Sequence, residues 1–289
     1  MKDLKIIKEH DDYWLKIQEK ESHKESSYKQ ISLMKNTQQF VLMKEIIDGH
    51  FSSFKNLKIV EIGGGMGKLS LLLAQKGAKI TIIDNSEKAK DLCNEMFVHY
   101  GLKPPEFIIA NAFDLPPNLI SKFDISISTG LIEHFKGQER HDIVKAHYDV
   151  IKSKGITLIS VPHKYSFPYK IYKFFAEIYS TWEWGPEYPF TKNELLNFSK
   201  AAGFSKNEVF ATDFSYNYFF QLRNTLYSKS IFLRKIANFV GIKKGIQLST
   251  QSNQTKKVTD AILDKKETPD ISSMDHYFGN ILTLKGIKN

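Results

Sequence analysis

Apolar and polar positions follow one another in two rhythms along this chain, and their succession predicts its elements. Residues 57–62 are a short apolar, β-branched run of the kind buried in a parallel sheet. Leu69, Leu72 and Leu73 then recur at helical spacing up to Gly77. Residues 79–84 repeat the strand pattern, after which Ser86 caps a helix whose apolar face is Ala89, Leu92, Cys93, Met96, Phe97 and Tyr100, ending at Gly101. Pro104 and Pro105 break the chain before a third strand at 107–110. A fourth strand at 123–128 leads to a helix carrying Ile143, His147, Val150 and Ile151, and a turn at 153–155 leads to a fifth strand at 156–161. Thr191 and Glu194 form a capping box for a helix with Leu195, Phe198 and Ala202 on its face and Gly203 at its end. Strands at 204–211 and 278–285 complete the pattern. Such alternation predicts an α/β fold with a doubly wound, mainly parallel sheet.

Three segments stand outside the alternation. Residues 1–57 read as N-terminal helices: Phe40, Met43, Ile47 and Phe51 mark one, Tyr28, Ile31 and Met34 a second, and Tyr13, Trp14 and Ile17 a third. Residues 58–289 form the α/β domain, interrupted by insertions at 163–190 and 212–275. Both insertions are rich in aromatics and interleaved with basic residues, and both leave from carboxyl ends of strands, where open α/β sheets place their ligands. They predict a helical aromatic cap with a polar loop at 247–257. The cap aromatics serve as core, as walls of an apolar acceptor pocket, or as an interfacial face.

Length and composition fit one elaborated domain: 289 residues, 42% apolar. No signal-like segment or run of about 20 apolar residues is present, so a cytoplasmic protein is expected. Cys93 is the single cysteine, which leaves no disulfide framework within the chain. The net charge of +9 is concentrated late, with 18 Lys/Arg against 11 Asp/Glu in residues 163–289. That excess suits an anionic acceptor, a membrane surface or nucleic acid, and equally plain solvation.

Chemistry enters at residues 60–69, where an apolar run ends in Glu61 and then in Gly63, Gly64, Gly65 and Gly67. Glycines between strand and helix permit positive φ and a close backbone approach to a ligand. The dinucleotide pattern G-x-G-x-x-G fails, because Lys68 stands where the third glycine belongs, and the P-loop pattern fails as well. What remains, E-x-G-x-G-x-G, resembles the first motif of class I S-adenosylmethionine-dependent methyltransferases. The resemblance spans residues 58–211 and the final strand. It implies six parallel strands with an antiparallel seventh inserted, S-adenosylmethionine as cofactor, and N-terminal helices that close over it.

The same resemblance orders the remaining candidates. Glu61 faces the cationic amino group of the cofactor's methionine moiety. Asp84, ending the second strand 21 residues after Gly63, accepts from the ribose hydroxyls, with Asn85 beside it. Asn111, Ala112 and Phe113 resemble the segment framing adenine, with Asn111 in place of the usual acid. Thr129 opens an acceptor-side segment ending in Glu133 and His134. His134 is a candidate for proton transfer or for orienting the cofactor, and His163, after the fifth strand, is a candidate general base. His147, on an apolar helix face, reads as a core histidine. No H-E-x-x-H spacing occurs, so no required metal is predicted. The base-methylase pattern [NDS]-P-P-[YFW] is missing, which counts against nucleic acid as the acceptor. The resulting reading is methyl transfer to a small-molecule acceptor, anionic or apolar and aromatic, at oxygen. Its alternatives are methylation of a lipid or quinone precursor with peripheral membrane contact, and a non-catalytic cofactor-binding or RNA-binding protein. Oligomeric state is left open.

Overall fold

The computed structural model describes residues 28, 30–180, 182, 184–213 and 279–289. The expected helix around Tyr13 and Trp14, most of the second insertion with its loop at 247–257, and Phe278 lie outside them. After a helical stretch at 30–34, where a helix through Ile31 and Met34 was expected, comes helix α1 (Gln38–Phe51), opened by Thr37, whose side chain accepts from Phe40 N–H. Then follow β1 (Lys58–Ile62), α2 (Lys68–Ala74), β2 (Lys79–Asp84), α3 (Glu87–His99), β3 (Glu106–Ile109), β4 (Phe123–Thr129), α4 (Gln138–Val150) and β5 (Ile151–Pro162). Helices α5 (Phe167–Ile178) and α6 (Lys192–Ala202) precede β6 (Lys206–Thr212) and β7 (Ile281–Ile287). Short 3₁₀ turns lie at Pro117–Leu119 and Ile132–His134.

The seven strands form one sheet in the order β3-β2-β1-β4-β5-β7-β6. Neighbours from β3 to β5 are parallel, and β7 runs antiparallel to both β5 and β6. The doubly wound sheet with an antiparallel last strand is therefore as its sequence predicts. Side chains alternate across the strands. Ile59, Ile82, Ile125 and Leu158 join the core under α1, α2 and α3, while Val60, Ile83, Ile159 and Val161 join the one under α4 and α6. Each such fully buried side chain contributes roughly 1.5–3 kcal/mol, so the continuous apolar strands, covered on both faces, are what the sheet needs.

One junction differs from its expected form. The α4 face was expected to run through Ile151 into a turn at 153–155, whereas α4 stops at Val150 and β5 starts at Ile151 with no loop between them. A bulge absorbs the turn: Phe123 pairs with Ile151, but Ile125 pairs with Ile156. Lys154 takes φ 65°, and a Cβ on Gly155 would stand 2.9 Å from Asp124 O, so glycine is needed where the bulge crosses β4. Both ends are pinned, Lys152 Nζ to Asp124 at 2.6 Å and Lys154 N–H to Lys288 O at 2.8 Å.

The α6 capping box is present, Thr191 and Glu194 each accepting from the other's backbone N–H. Ser166 caps α5 and Ser86 caps α3 by a one-way bond, each side chain accepting from the backbone N–H three residues on, of Tyr169 and Ala89. No helix among the described residues is long and apolar enough to cross a membrane.

His147 is fully buried in α4, with no hydrogen-bond partner for either ring nitrogen, and burial lowers its pKa to about 3. The unfolded chain takes up this proton below about pH 6.5 and the folded chain only near pH 3. Its contribution is thus fully present above pH 6.5 and is lost as the pH falls toward 3. Urea unfolding of the wild type and His147→Leu at pH 7.5 and pH 5 should show the variant losing about 2 kcal/mol less between the two. Equal losses would contradict an uncharged buried imidazole.

Candidate active site

The glycine turn between β1 and α2 is shaped by contacts that admit no side chain. Gly63, Gly65 and Gly67 have φ of 65°, 51° and 71°. A Cβ on Gly63 would stand 2.6 Å from Leu131 Cδ1, and one on Gly67 would stand 2.4 Å from Ile82 Cδ1. Gly64 is as tightly enclosed, 2.8 Å from Ile82 Cγ2. Gly63 N–H donates to Ile83 O and Gly67 N–H to Gly64 O, both at 2.8 Å.

Two carboxylates from adjacent strands hold this turn. Asp84 Oδ2 accepts from Gly65 N–H at 2.8 Å, and its Oδ1 accepts from Ser86 N–H at 3.0 Å. Glu61 is turned inward, 4% exposed, its Oε2 accepting from Ser70 Oγ at 2.5 Å and Ser70 N–H at 3.3 Å. Burial raises the Glu61 pKa to about 7, the two Ser70 bonds opposing and the nearby Asp84 charge adding to the rise. Ser70 had no signal in the sequence beyond its place one turn into α2.

The other predicted residues gather along the same carboxyl edge. Asn85 is half-buried beside Asp84. Asn111 Oδ1 accepts from Phe113 N–H at 3.0 Å, a local turn that leaves Ala112 half-buried and Phe113 39% exposed against the edge of Phe135. Thr129 is exposed at the end of β4, followed by Gly130 at φ 77°. Leu131, which closes over Gly63, joins that edge to the glycine turn. Lys68 Nζ reaches Gln30 Oε1 at 2.7 Å, which brings the N-terminal region to the same turn.

Beyond β4, Glu133 is 2% exposed, and its Oε2 has no hydrogen-bond partner. Its pKa is raised to about 8, chiefly by burial, with its own backbone N–H opposing and Glu187 adding to the rise. His134 Nδ1 lies 3.0 Å from Pro186 O. His163 is 2% exposed. Its N–H donates to Asn280 O, and its Nδ1 stands 3.0 Å from Gly279 O. Burial lowers its pKa. The two histidines thus lie beyond adjacent strands, one fixed to the first insertion and the other to the approach to β7.

Beside them a cleft of about 330 Å³ is lined by Lys136, Arg140, Lys164, Tyr188 and Glu194. Arg140 is 7% exposed, donates to Phe135 O and Tyr188 O, and lies over the Phe190 ring. Sequence reading missed both the cleft and Glu187. Their residues come from segments some fifty positions apart, so no local pattern announces them.

Residues 59–155 match the family model described as a methyltransferase domain. A protein of Staphylococcus carnosus (strain TM300) named an uncharacterized methyltransferase is 30% identical over 105 residues, which are 35% of this chain and 45% of that protein. The chain thus spans less than half the length of this curated relative. Among solved structures, an S-adenosylmethionine-dependent methyltransferase of Archaeoglobus fulgidus matches with a TM-score of 0.50 and 15% identity, over 86% of this chain and 93% of that one. A possible histamine N-methyltransferase of Thermotoga maritima matches at 0.51 and 17%, over 87% and 98%. The 4+2 cyclase SpnF matches at 0.53 and 16%, over 86% and 81%. At such identities these three share the fold.

Gly63→Ala should weaken S-adenosylhomocysteine binding at least about tenfold, since its methyl group enters Leu131 at a left-handed position. Gly101→Ala, also at positive φ but with open space around it, should leave binding unchanged. Calorimetric titration of both variants checks this, and equal affinities would show that the glycine turn does not shape the pocket.

Proposed function

We propose that this chain, whose residues 59–155 match a methyltransferase domain model, transfers the methyl group of S-adenosylmethionine to an oxygen of a small, anionic acceptor. The observation that carries the reading is the placement of two features on one sheet edge: the glycine turn held by Asp84, and a cleft in which Lys136, Arg140 and Lys164 outnumber the single carboxylate of Glu194. In the proposed pocket, Asp84 and Asn85 meet the ribose and the 111–113 turn frames the adenine. Thr129 lies beside the methionine moiety, and Glu61 balances its ammonium group.

The reaction asks little covalent chemistry of the protein. An acceptor oxygen attacks the methyl carbon as the carbon–sulfur bond breaks, leaving a neutral thioether, and the acceptor's hydroxyl proton departs to a base or to water. Alignment of oxygen, carbon and sulfur is the main contribution. His163 is the proposed base: donation of Nδ1–H to Gly279 O leaves the lone pair on Nε2, and a lowered pKa keeps the ring neutral at pH 7. His134, fixed to Pro186 O, takes the orienting role.

A second reading, a lipid or quinone precursor methylated at a membrane surface, is favoured by Tyr165, Phe167, Phe174, Ile178 and Trp184, all more than half exposed on and around α5. Co-sedimentation with anionic liposomes would support it, and no sedimentation would remove it. Retention of the cofactor with no turnover would favour a binding role, and salt-sensitive RNA capture would point to nucleic acid.

Methyl transfer is tested by incubating the chain with methyl-labelled S-adenosylmethionine and a panel of phenols, carboxylates, hydroxy acids and amines. Label in an anionic oxygen acceptor is the expected outcome, and label in amines alone would overturn the choice of oxygen. His163→Asn should lower kcat for an aliphatic alcohol acceptor at least about tenfold and remove the acid limb of its pH profile. An unchanged profile would exclude His163 as base. Glu61 adds a linkage test. With its pKa near 7 in the unliganded protein, ionisation against the ammonium group releases a proton below that pH. Affinity for S-adenosylhomocysteine should therefore rise from pH 6 to pH 8, by at most about tenfold per unit, and level off above. Glu61→Gln should flatten this dependence, and a parallel slope in the variant would assign it to another group.

A further inference from the structure

We infer that Glu133, His134 and Glu187 form a binding site for one divalent metal ion, which joins the turn after β4 to the segment leading into α6. One donor atom from each residue lies within 4.8 Å of the others. With metal–ligand bonds of about 2.0–2.2 Å, neighbouring ligands of a tetrahedral ion stand about 3.4 Å apart, so the donors would close by at most about 1.4 Å, a movement within reach of side-chain torsions.

Each side chain is prepared for this independently. Glu133 is 2% exposed and keeps an oxygen, Oε2, with no hydrogen-bond partner. Such an oxygen costs free energy unless something fills it. Arg140 stands nearby, but its Nε and Nη2 are directed to the carbonyls of Phe135 and Tyr188. A bound cation would supply the missing partner.

The contact of His134 Nδ1 with Pro186 O is a hydrogen bond only if Nδ1 carries the proton. The lone pair is then on Nε2, and an imidazole held through a backbone carbonyl on its other nitrogen is the usual arrangement of a metal-ligating histidine. Glu187 is oriented as well: Tyr169 Oη donates to its Oε2 at 2.8 Å, and Lys173 Nζ donates to its main-chain oxygen at 3.1 Å. Two carboxylates and one imidazole suit Mn²⁺ or Zn²⁺ better than Ca²⁺, which prefers six or more oxygens. Tyr188 N–H already donates to Glu133 O at 2.8 Å, so the ion would reinforce an existing junction.

The test uses the full chain after chelator treatment, titrated with Mn²⁺ under electron paramagnetic resonance and with Zn²⁺ by calorimetry. One ion per chain is expected, with the melting temperature rising as its concentration passes the Kd. Glu187→Gln and His134→Ala should each weaken binding at least tenfold. Glu133→Gln should abolish it, and if that buried variant does not fold, the other two decide. The surface pair of half-buried His141 and exposed Asp142, changed to Ala and Asn, should have no effect. The site is overturned by no uptake at about 1 mM of either ion, by uptake that survives both Glu187→Gln and His134→Ala, or by uptake lost in the surface variant. S-adenosylhomocysteine binding measured on the same sample separates failure of the ion site from failure of the cofactor pocket.

Discussion

The bond from Gly65 N–H to the Asp84 carboxylate is the constraint on which the site depends. It crosses from the end of β2 to a turn that must hold positive φ at three glycines, and it acts where the strands deliver their loops. A turn so rich in glycine gives up much conformational entropy on folding. Asp84 from one side and Glu61 from within hold it in one arrangement, and Leu131 closes it from β4. The three strands thus share one loop, so disturbing any of them reaches the pocket.

A second set of ties gathers distant parts of the chain around the far side of the sheet. Asp213 at the end of β6 accepts from the N–H groups of Gln38 and Gln39, capping α1, and its own N–H donates to Gln38 Oε1. Asn280 donates to Asp213 O and accepts from Ser166 Oγ, while its main-chain oxygen accepts from His163 N–H. The N-terminal helix, the α5 cap and both strands that flank the unlike pairing are therefore linked through a few buried polar groups. Such networks are costly when half satisfied, which fits their concentration at one place.

Much of this was legible in the sequence, because strands covered on both faces need continuous apolar runs and glycine turns need glycine. The capping box at Thr191, the cap at Ser86 and the order of strands and helices follow from local rules. The α4–β5 junction did not, since Ile151 suits a helix face and a buried strand equally, and only its pairing with Phe123 decides between them. The site was legible where it is sequential, as from Glu61 to Gly67, and illegible where it is spatial. Glu187 lies 53 positions after His134, so the spacing rule that predicted no required metal had no means of detecting the cluster. Ser70 took its meaning only from the inward turn of Glu61.

The strand order carries a consequence for how the chain assembles. β7 follows β6 in sequence yet lies between β5 and β6, so β6 has no neighbour until β7 arrives. A nascent chain that has produced β6 but not β7 holds a five-stranded parallel sheet with the whole edge of β5 open. Such an edge is a template for another copy. In place of its own strand it can recruit β7 from a neighbour, and Gly286, pressed against the Phe204 ring with no room for a Cβ, is where a mispaired strand would fail to seat. The register of the last pairing is thus checked at one position where a methyl group has no room.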